Sequence, residues 1–170
     1  MSILKTIKKR RSVRNFKIKE IPEKLERKLK EALIWAPSAG NLQLRKFYFV
    51  KDHKKKELLA KAALNQNFIS AAPLVVVACQ DFEIEKHYGK KGKEVFGICD
   101  TAAAIENMLL EASDIKLGSC WVGAFDEKEA AQALELPKNL RPLAIIPIGY
   151  PDDTPPAPDR KDEGEVIVKK

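Results

Sequence analysis

The residues best equipped for chemistry sit near the start, in Arg10-Arg11-Ser12-Val13-Arg14-Asn15-Phe16. In extended chain, neighbouring side chains point to opposite faces. Arg10, Ser12 and Arg14 then share one face, and Arg11 and Val13 the other. Two guanidinium forks flanking a hydroxyl suit a ligand with phosphate at one end and a polar ring at the other. The plainer reading is a basic turn that closes a helix, since cations are favoured at helix C-termini. What tips the balance is that later stretches supply complementary groups.

The first of these is Ala36-Pro37-Ser38-Ala39-Gly40-Asn41-Leu42-Gln43. Its composition predicts a tight turn with exposed backbone N–H groups. It offers the Ser38 hydroxyl and the Asn41 amide to a polar heteroaromatic edge, or else simply joins a helix to a strand. Asn65-Gln66-Asn67 is a second polar cluster. Gly118-Ser119-Cys120-Trp121-Val122-Gly123-Ala124-Phe125 reads as a short strand between glycines. Glycine there lets a planar ligand approach the backbone closely, or merely makes turns. Glu83, Glu85 and His87 invite a metal reading, but one histidine beside alternating acids fits a solvated loop better. Gly89-Lys90-Lys91-Gly92-Lys93 lacks the Walker spacing of a P-loop. No GxSxG, HExxH or strand-following GxGxxG is present.

The elements that must position these groups follow from periodicity. Residues 2–9 form a short helix. Ile21-Pro22-Glu23 opens a helix to about Trp35, with Leu25, Leu29 and Leu33 on one stripe. Glu23/Arg27 and Glu26/Lys30 are its expected ion pairs. Lys46–Val50 is a strand, His53–Leu64 a helix, and Pro73–Ala78 a buried central strand. Residues 81–98 are the least regular part. Asp100 or Thr101 caps a helix through Ala112, apolar nearly all round, which suits either full burial or a subunit interface. Asp126 caps a helix to Leu134. Leu143–Tyr150 is the last buried strand, and Pro147 argues that it is an edge or carries a bulge.

Residues 151–164 hold four prolines and five acids. Fourteen extended residues reach about 45 Å. Glu165-Val166-Ile167-Val168 then returns to strand character, as expected of a tail that pairs on a partner subunit, or of a frayed terminus.

The chain has 170 residues, enough for one domain with a real core. Hydrophobic residues make up 45% and charged residues 32%, which places it among soluble globular chains. No apolar run is long enough to span a membrane, and no secretory signal opens the chain. Cys79, Cys99 and Cys120 are too few and too scattered for a disulfide framework, so a cytoplasmic location is expected. Residues 1–65 hold 19 Lys+Arg against 6 Asp+Glu, a net +13 within a total of +7. Alternation with Glu and the lack of interleaved aromatics argue against nucleic acid. A basic entrance for phosphorylated cofactors fits better.

Taken in order, Arg10–Phe16, Ala36–Gln43, the helix from Asp100 to Ala112, Gly118–Phe125 and Arg160 in the tail resemble the nitroreductase family of flavin enzymes. The resemblance covers essentially the whole chain. It implies an α+β fold with a mixed, mainly antiparallel sheet flanked by helices. It also implies one domain over 1–170, with 151–170 as a C-terminal arm exchanged in a homodimer, and one FMN at each of two interface sites. By the same resemblance Arg10, Ser12 and Arg160 hold phosphate, and Arg11 serves phosphate or ribityl. Arg14 lies near the N1/O2 edge of the flavin. Pro37, Ser38 and Asn41 come from the neighbouring subunit. Trp121, Val122 and Gly123 flank the ring at N5, and Asn65 or Asn67 touches ring or ribityl.

The implied activity is ping-pong hydride transfer from NADH or NADPH through FMN to a nitroaromatic, quinone or similar acceptor. Because the chemistry resides in the cofactor, no catalytic triad is needed. A guanidinium at N1/O2 stabilises the charge that reduction builds there. Two departures stand out: residues 81–98 are short, and Asp159 sits beside Arg160. Other outcomes within the fold are reductive dehalogenation or flavin fragmentation. A non-catalytic flavin-binding redox sensor is the alternative from another class.

Overall fold

The computed structural model describes residues 2–170. Its centre is strand β2, Leu74–Asp81, in which all eight residues are buried. That is why it reads as an unbroken apolar run rather than an alternation. Leu74, Val76 and Ala78 face one helical layer, while Val75, Val77 and Cys79 face the other. Each such Leu or Val contributes about 1.5–3 kcal/mol by leaving water.

Around β2 lies a four-stranded sheet in the order β1-β2-β4-β3, with β1 at Arg45–Val50, β3 at Gly118–Ser119 and β4 at Leu140–Gly149. All three pairings are antiparallel. A parallel bridge between Ser12 and Ser119 makes the sheet mixed at its β3 margin.

One face is covered by helices α2 (Glu23–Ile34) and α6 (Gly97–Asp114), which bring Leu29, Leu33, Ile105 and Met108 onto the sheet. The other is covered by α3 (His53–Ala62), α4 (Phe68–Ala71) and α7 (Glu127–Ala133), through Leu59, Ile69 and Ala130. Helix α1 (Ile3–Lys9) packs beside α6, where Thr6 Oγ1 donates to Asp114 Oδ1 at 3.3 Å. Helix α7 starts at the expected cap, with Asp126 Oδ1 accepting from Lys128 N and Glu129 N.

Several expectations give way. Pro147 lies in an interior strand, opposite Val75, so it marks neither an edge nor a bulge. The irregularity is instead between Ala78 and Cys79, where the partner register skips Leu143. Residues 81–98 are mostly helical: α5 (Ile84–Lys91) passes through a π-helical turn, Gly92–Phe96, straight into α6. Asp100 and Thr101 therefore cap nothing. Thr101 Oγ1 donates back to Gly97 O at 2.8 Å, inside the helix.

The expected Glu26/Lys30 pair does not form. Glu26 is buried and meets Lys51 Nζ at 2.5 Å, while Lys30 sits over the Phe49 ring. Only Gly118–Ser119 of the expected 118–125 strand is ladder, followed by one bridge at Val122. Residues 165–168 do not form a strand. A short helix α8 (Glu163–Val166) opens with a capping box between Asp162 and Glu165, and residues 152–170 are exposed throughout.

Candidate functional site

Val13 anchors the Arg10–Phe16 segment. It is 3% exposed, and its N–H donates to Ser119 O at 3.0 Å. It fits because residue 118 is glycine: a Cβ there would lie 2.7 Å from Val13 Cβ. Alternation about Val13 turns Arg10, Ser12 and Arg14 to a common side, where Cys120 lies. Burial pushes the Cys120 thiol pKa up, against the opposing pull of Arg14, a hydrogen bond with Ser12, and Arg10. Arg14 is exposed, 5.9 Å above the Phe68 ring. Arg11 turns the other way and donates to Lys8 O and Arg10 O, both at 2.7 Å. The helix-closing reading thus describes the hydrogen bonds of Arg11, although Arg11 also borders the cleft beside the segment, which Ser12 and Arg14 do not line.

Beside this segment is a cleft of about 150 Å³ whose wall includes Lys9, Arg10, Arg11, Lys116, Ser119 and Thr154. Lys9, Lys116 and Thr154 were not singled out from the sequence. A cation two residues before Gly118 was the available signal for Lys116.

The far side of the segment is built from two loops. Val122 exchanges backbone bonds with Ile145 at 3.0 Å in both directions, leaving Trp121 and Gly123 exposed on either side. Asp126 N donates to Ala62 O at 2.9 Å, tying this strand end to the end of α3. There Leu64 and Asn65 take left-handed φ values of 59° and 58° and turn the chain into α4. Asn67 directly precedes Phe68, the ring under Arg14. Both Asn65 and Asn67 are exposed.

Pro37, Ser38 and Asn41 lie elsewhere. Arg45, 6% exposed, donates to Pro37 O (2.9 Å), Ala36 O (2.6 Å) and Asp100 O (2.9 Å). Burial lowers the Arg45 pKa, with Asp100 opposing. Ala39 N donates to both Asp100 carboxylate oxygens at 3.0 Å. Ser38 Oγ accepts from Gln43 N at 3.0 Å, and Asn41 Oδ1 accepts from Gln43 Nε2 at 3.2 Å.

This loop therefore sits at the Asp100 end of α6. The cationic cleft sits at the Ser113 end, with Ser113 among its lining residues. At 1.5 Å per residue those ends are about 20 Å apart. Within one chain, the two halves of the expected site do not meet. Nor does Arg160 join it. That residue is exposed and donates to Asp159 O at 3.2 Å. The arm does leave from beside the site, with Asp152 N donating to Asn15 O (3.0 Å) and Asn15 Nδ2 to Asp153 (2.9 Å).

Neither Arg10 nor Arg14 forms an ion pair among the described residues. Uncompensated guanidinium groups beside a cleft and a Trp–Val–Gly strand end fit an anionic, planar, phosphorylated ligand. Glu83, Glu85 and His87 fall on and around α5, and the described residues hold no cluster of three or more metal-type ligands. Among the described residues, no helix is long and apolar enough to cross a membrane.

Comparison with known proteins gives a consistent answer. The model of the Nitroreductase family matches residues 7–81 and 60–150. The chain is 28% identical to a putative NADH dehydrogenase/NAD(P)H nitroreductase of Methanothermobacter thermautotrophicus, covering 100% of this chain and 88% of the relative. It is 30% identical to a protein of the same description from Archaeoglobus fulgidus, covering 88% and 86%. Among solved structures, the NADPH:FMN oxidoreductase from Vibrio harveyi complexed with NAD+ superposes with a TM-score of 0.91 at 25% identity, over 98% of this chain and 76% of that one. With the fold, the anchored Arg10–Phe16 segment and the family match in agreement, the chain belongs to the nitroreductase family.

Proposed function

We propose that the protein is an FMN-dependent NAD(P)H oxidoreductase that works as a homodimer with two cofactor sites. Each site joins Arg10, Ser12, Arg14, Asn65 or Asn67 and Trp121-Val122-Gly123 of one subunit to Pro37, Ser38 and Asn41 of the other. The observation that carries this reading is the separation along α6: a cationic half-site at one end and a polar loop at the other, about 20 Å apart. A two-fold partner brings opposite ends together twice. The surface beside α6 is suited to such a partner, with Ile3, Leu4, Ile7 and Trp35 exposed at 74%, 56%, 48% and 78%. Apolar exposure of that extent on adjoining elements marks an interaction surface.

Arg10 and Ser12, with the cleft that Lys116 borders, hold the phosphate, and Arg160 of the arm joins them. Arg14 supplies positive charge at the flavin's N1/O2 edge. Gly123 and the exposed Trp121 give the ring a flat backbone edge. When bound, FMN supplies hydride transfer at N5, from NADH or NADPH and then to an acceptor, in a ping-pong cycle. The chain orients the cofactor and sets its electrostatics. Nitroaromatics and quinones are the acceptor class, and the cytoplasm is the compartment. Residues 1–170 form one domain, with 151–170 as an arm that reaches the partner. The Vibrio harveyi relative's description, naming FMN and NADPH, supports the cofactor and donor.

The test is repeated turnover. Purified protein mixed with NADPH or NADH and menadione or a nitroaromatic should bleach and recolour over many cycles. Flavin binding without reduction by either nicotinamide would sink the reading.

A further inference from the structure

The loop that carries Ser38 and Asn41 is held by two buried charged residues that no sequence motif marks. Arg45 opens β1 and is 6% exposed; Asp100 lies in the first turn of α6 and is 8% exposed. The Arg45 fork donates to the carbonyls of Ala36, Pro37 and Asp100, with a longer contact of 3.4 Å to Leu33 O. The Asp100 carboxylate receives the Ala39 N–H on both oxygens. Together they fix the chain on both sides of Ser38. The next two residues, Gly40 and Asn41, both have φ of 55°, and a Cβ on Gly40 would meet the Tyr88 hydroxyl. Gly and Asn are the residues that adopt left-handed φ most readily, so the pair suits this tight turn. None of these residues lies near Arg10, Ser12 or Arg14 of the same chain.

Buried charge of this kind is expensive, and an apolar filling of the same volume is often no less stable. Four carbonyls and one N–H, drawn from three separate elements, converge on the pair and fix one loop shape. We propose that Arg45 and Asp100 are positioning residues that act across the subunit boundary, shaping the loop that one subunit presents to the cofactor held by its partner. The proposal rests on the two-subunit FMN site of the preceding subsection. It adds that the grip of each site is set by two charged side chains, Arg45 and Asp100, buried in the other chain.

The experiment uses differently tagged chains, co-expressed and purified as heterodimers, with FMN binding measured by fluorescence titration. Asp100→Asn replaces one of the two oxygens that receive the Ala39 N–H with an amide donor and removes the charge. It should weaken the affected site by about 10- to 100-fold, the range expected for one charge-assisted hydrogen bond. Arg10→Ala serves as the marker for the cationic half-site. With Arg10→Ala on one chain and Asp100→Asn on the other, both defects fall on one site, and the second site stays wild type. That heterodimer should bind one FMN per dimer with unaltered affinity. With both substitutions on one chain, each site carries one defect, and no wild-type site remains. Arg45→Lys, which keeps the charge but loses the fork, should follow the same pattern in place of Asp100→Asn.

The reverse pattern would mean that Asp100 acts on the site of its own chain, and would overturn the proposal. Equal loss in both arrangements, with a lower melting temperature, would reduce Asp100 to fold maintenance and overturn it also. A wild-type dimer that binds no FMN would instead bring down the functional reading itself, and is seen in the first control.

Discussion

Removing the Arg14 guanidinium should change the flavin's potential more than its affinity. The side chain is exposed, forms no ion pair among the described residues and stacks 5.9 Å from the Phe68 ring centroid. Its loss therefore costs the fold little, about 0.5–1 kcal/mol for an exposed cation–π contact. Towards a developing negative charge about 4 Å away, a unit cation is worth about 4 kcal/mol at an effective dielectric of 20. Exposure and salt cut that to roughly 1–3 kcal/mol. For a two-electron couple, about 1.4 kcal/mol corresponds to 30 mV. Arg14→Ala should then lower the two-electron potential of bound FMN by roughly 20–65 mV. Reduction by NAD(P)H should slow, with FMN retained. Arg14→Lys keeps the charge without the planar fork, so it should recover most of the shift. The assay is equilibration with a reference dye, read spectrally, for the three proteins side by side. An Arg14→Ala protein that binds FMN and holds the wild-type potential would remove Arg14 from the N1/O2 edge.

Gly118→Ala forces a Cβ to within 2.7–2.8 Å of three Val13 atoms, and a β-branched side chain cannot yield cheaply. Denaturant melts should show a loss of about 1–3 kcal/mol together with weaker FMN binding, and Val13→Ala in the same chain, which removes two of the three clashing atoms but keeps Cβ, should restore only part of each. Unchanged stability in Gly118→Ala would refute the packing argument. Burial pushes the Cys79 thiol up to about 12 from 9.0. Its neutral form is favoured in the native state, so the unfolded chain binds fewer protons between those values. The Cys79 contribution is therefore complete below pH 9 and lost as pH rises towards 12. Stability measured from pH 8 to 11 should fall less steeply in Cys79→Ala than in wild type, and parallel curves would contradict this. Truncation after Tyr150 should weaken dimer and FMN retention together, as followed by sedimentation and absorbance. A truncated yellow dimer would count against the arm's role.

Local pattern made some of this visible in the sequence. Leu74–Val77 declared a strand buried on both faces because no polar residue interrupts it. Alternation in Arg10–Arg14 declared which side chains share a side, and Asp126 declared the start of α7. Other features depend on distant partners. Pro147 looked like an edge residue, yet the missing N–H is tolerated in an interior strand, where its carbonyl still accepts from Cys120 N at 3.2 Å. Residues 81–98 read as the least regular part, but they are mostly helical, and Gly89 takes a φ of 57° within that stretch. Gly92 is small because Ile84 O and Tyr88 Cβ would each come within 2.8 Å of a Cβ there.

Glu26 was assigned to its helical neighbour Lys30, but the end of β1 places Lys51 closer. The Asp162–Glu165 capping box, which reading 165–168 as a strand misses, outweighs the β-branched run that follows it. Asp100 showed the limit most clearly. It was placed as a cap from its position before an alanine run, whereas its carboxylate faces a loop 61 residues earlier in the chain.

Flavin content per dimer tests the central claim most directly. Protein purified under native conditions, weighed by sedimentation equilibrium and denatured to release its chromophore, should prove to be a two-chain particle carrying two FMN. A colourless single chain that takes up no added FMN would contradict the account at its root.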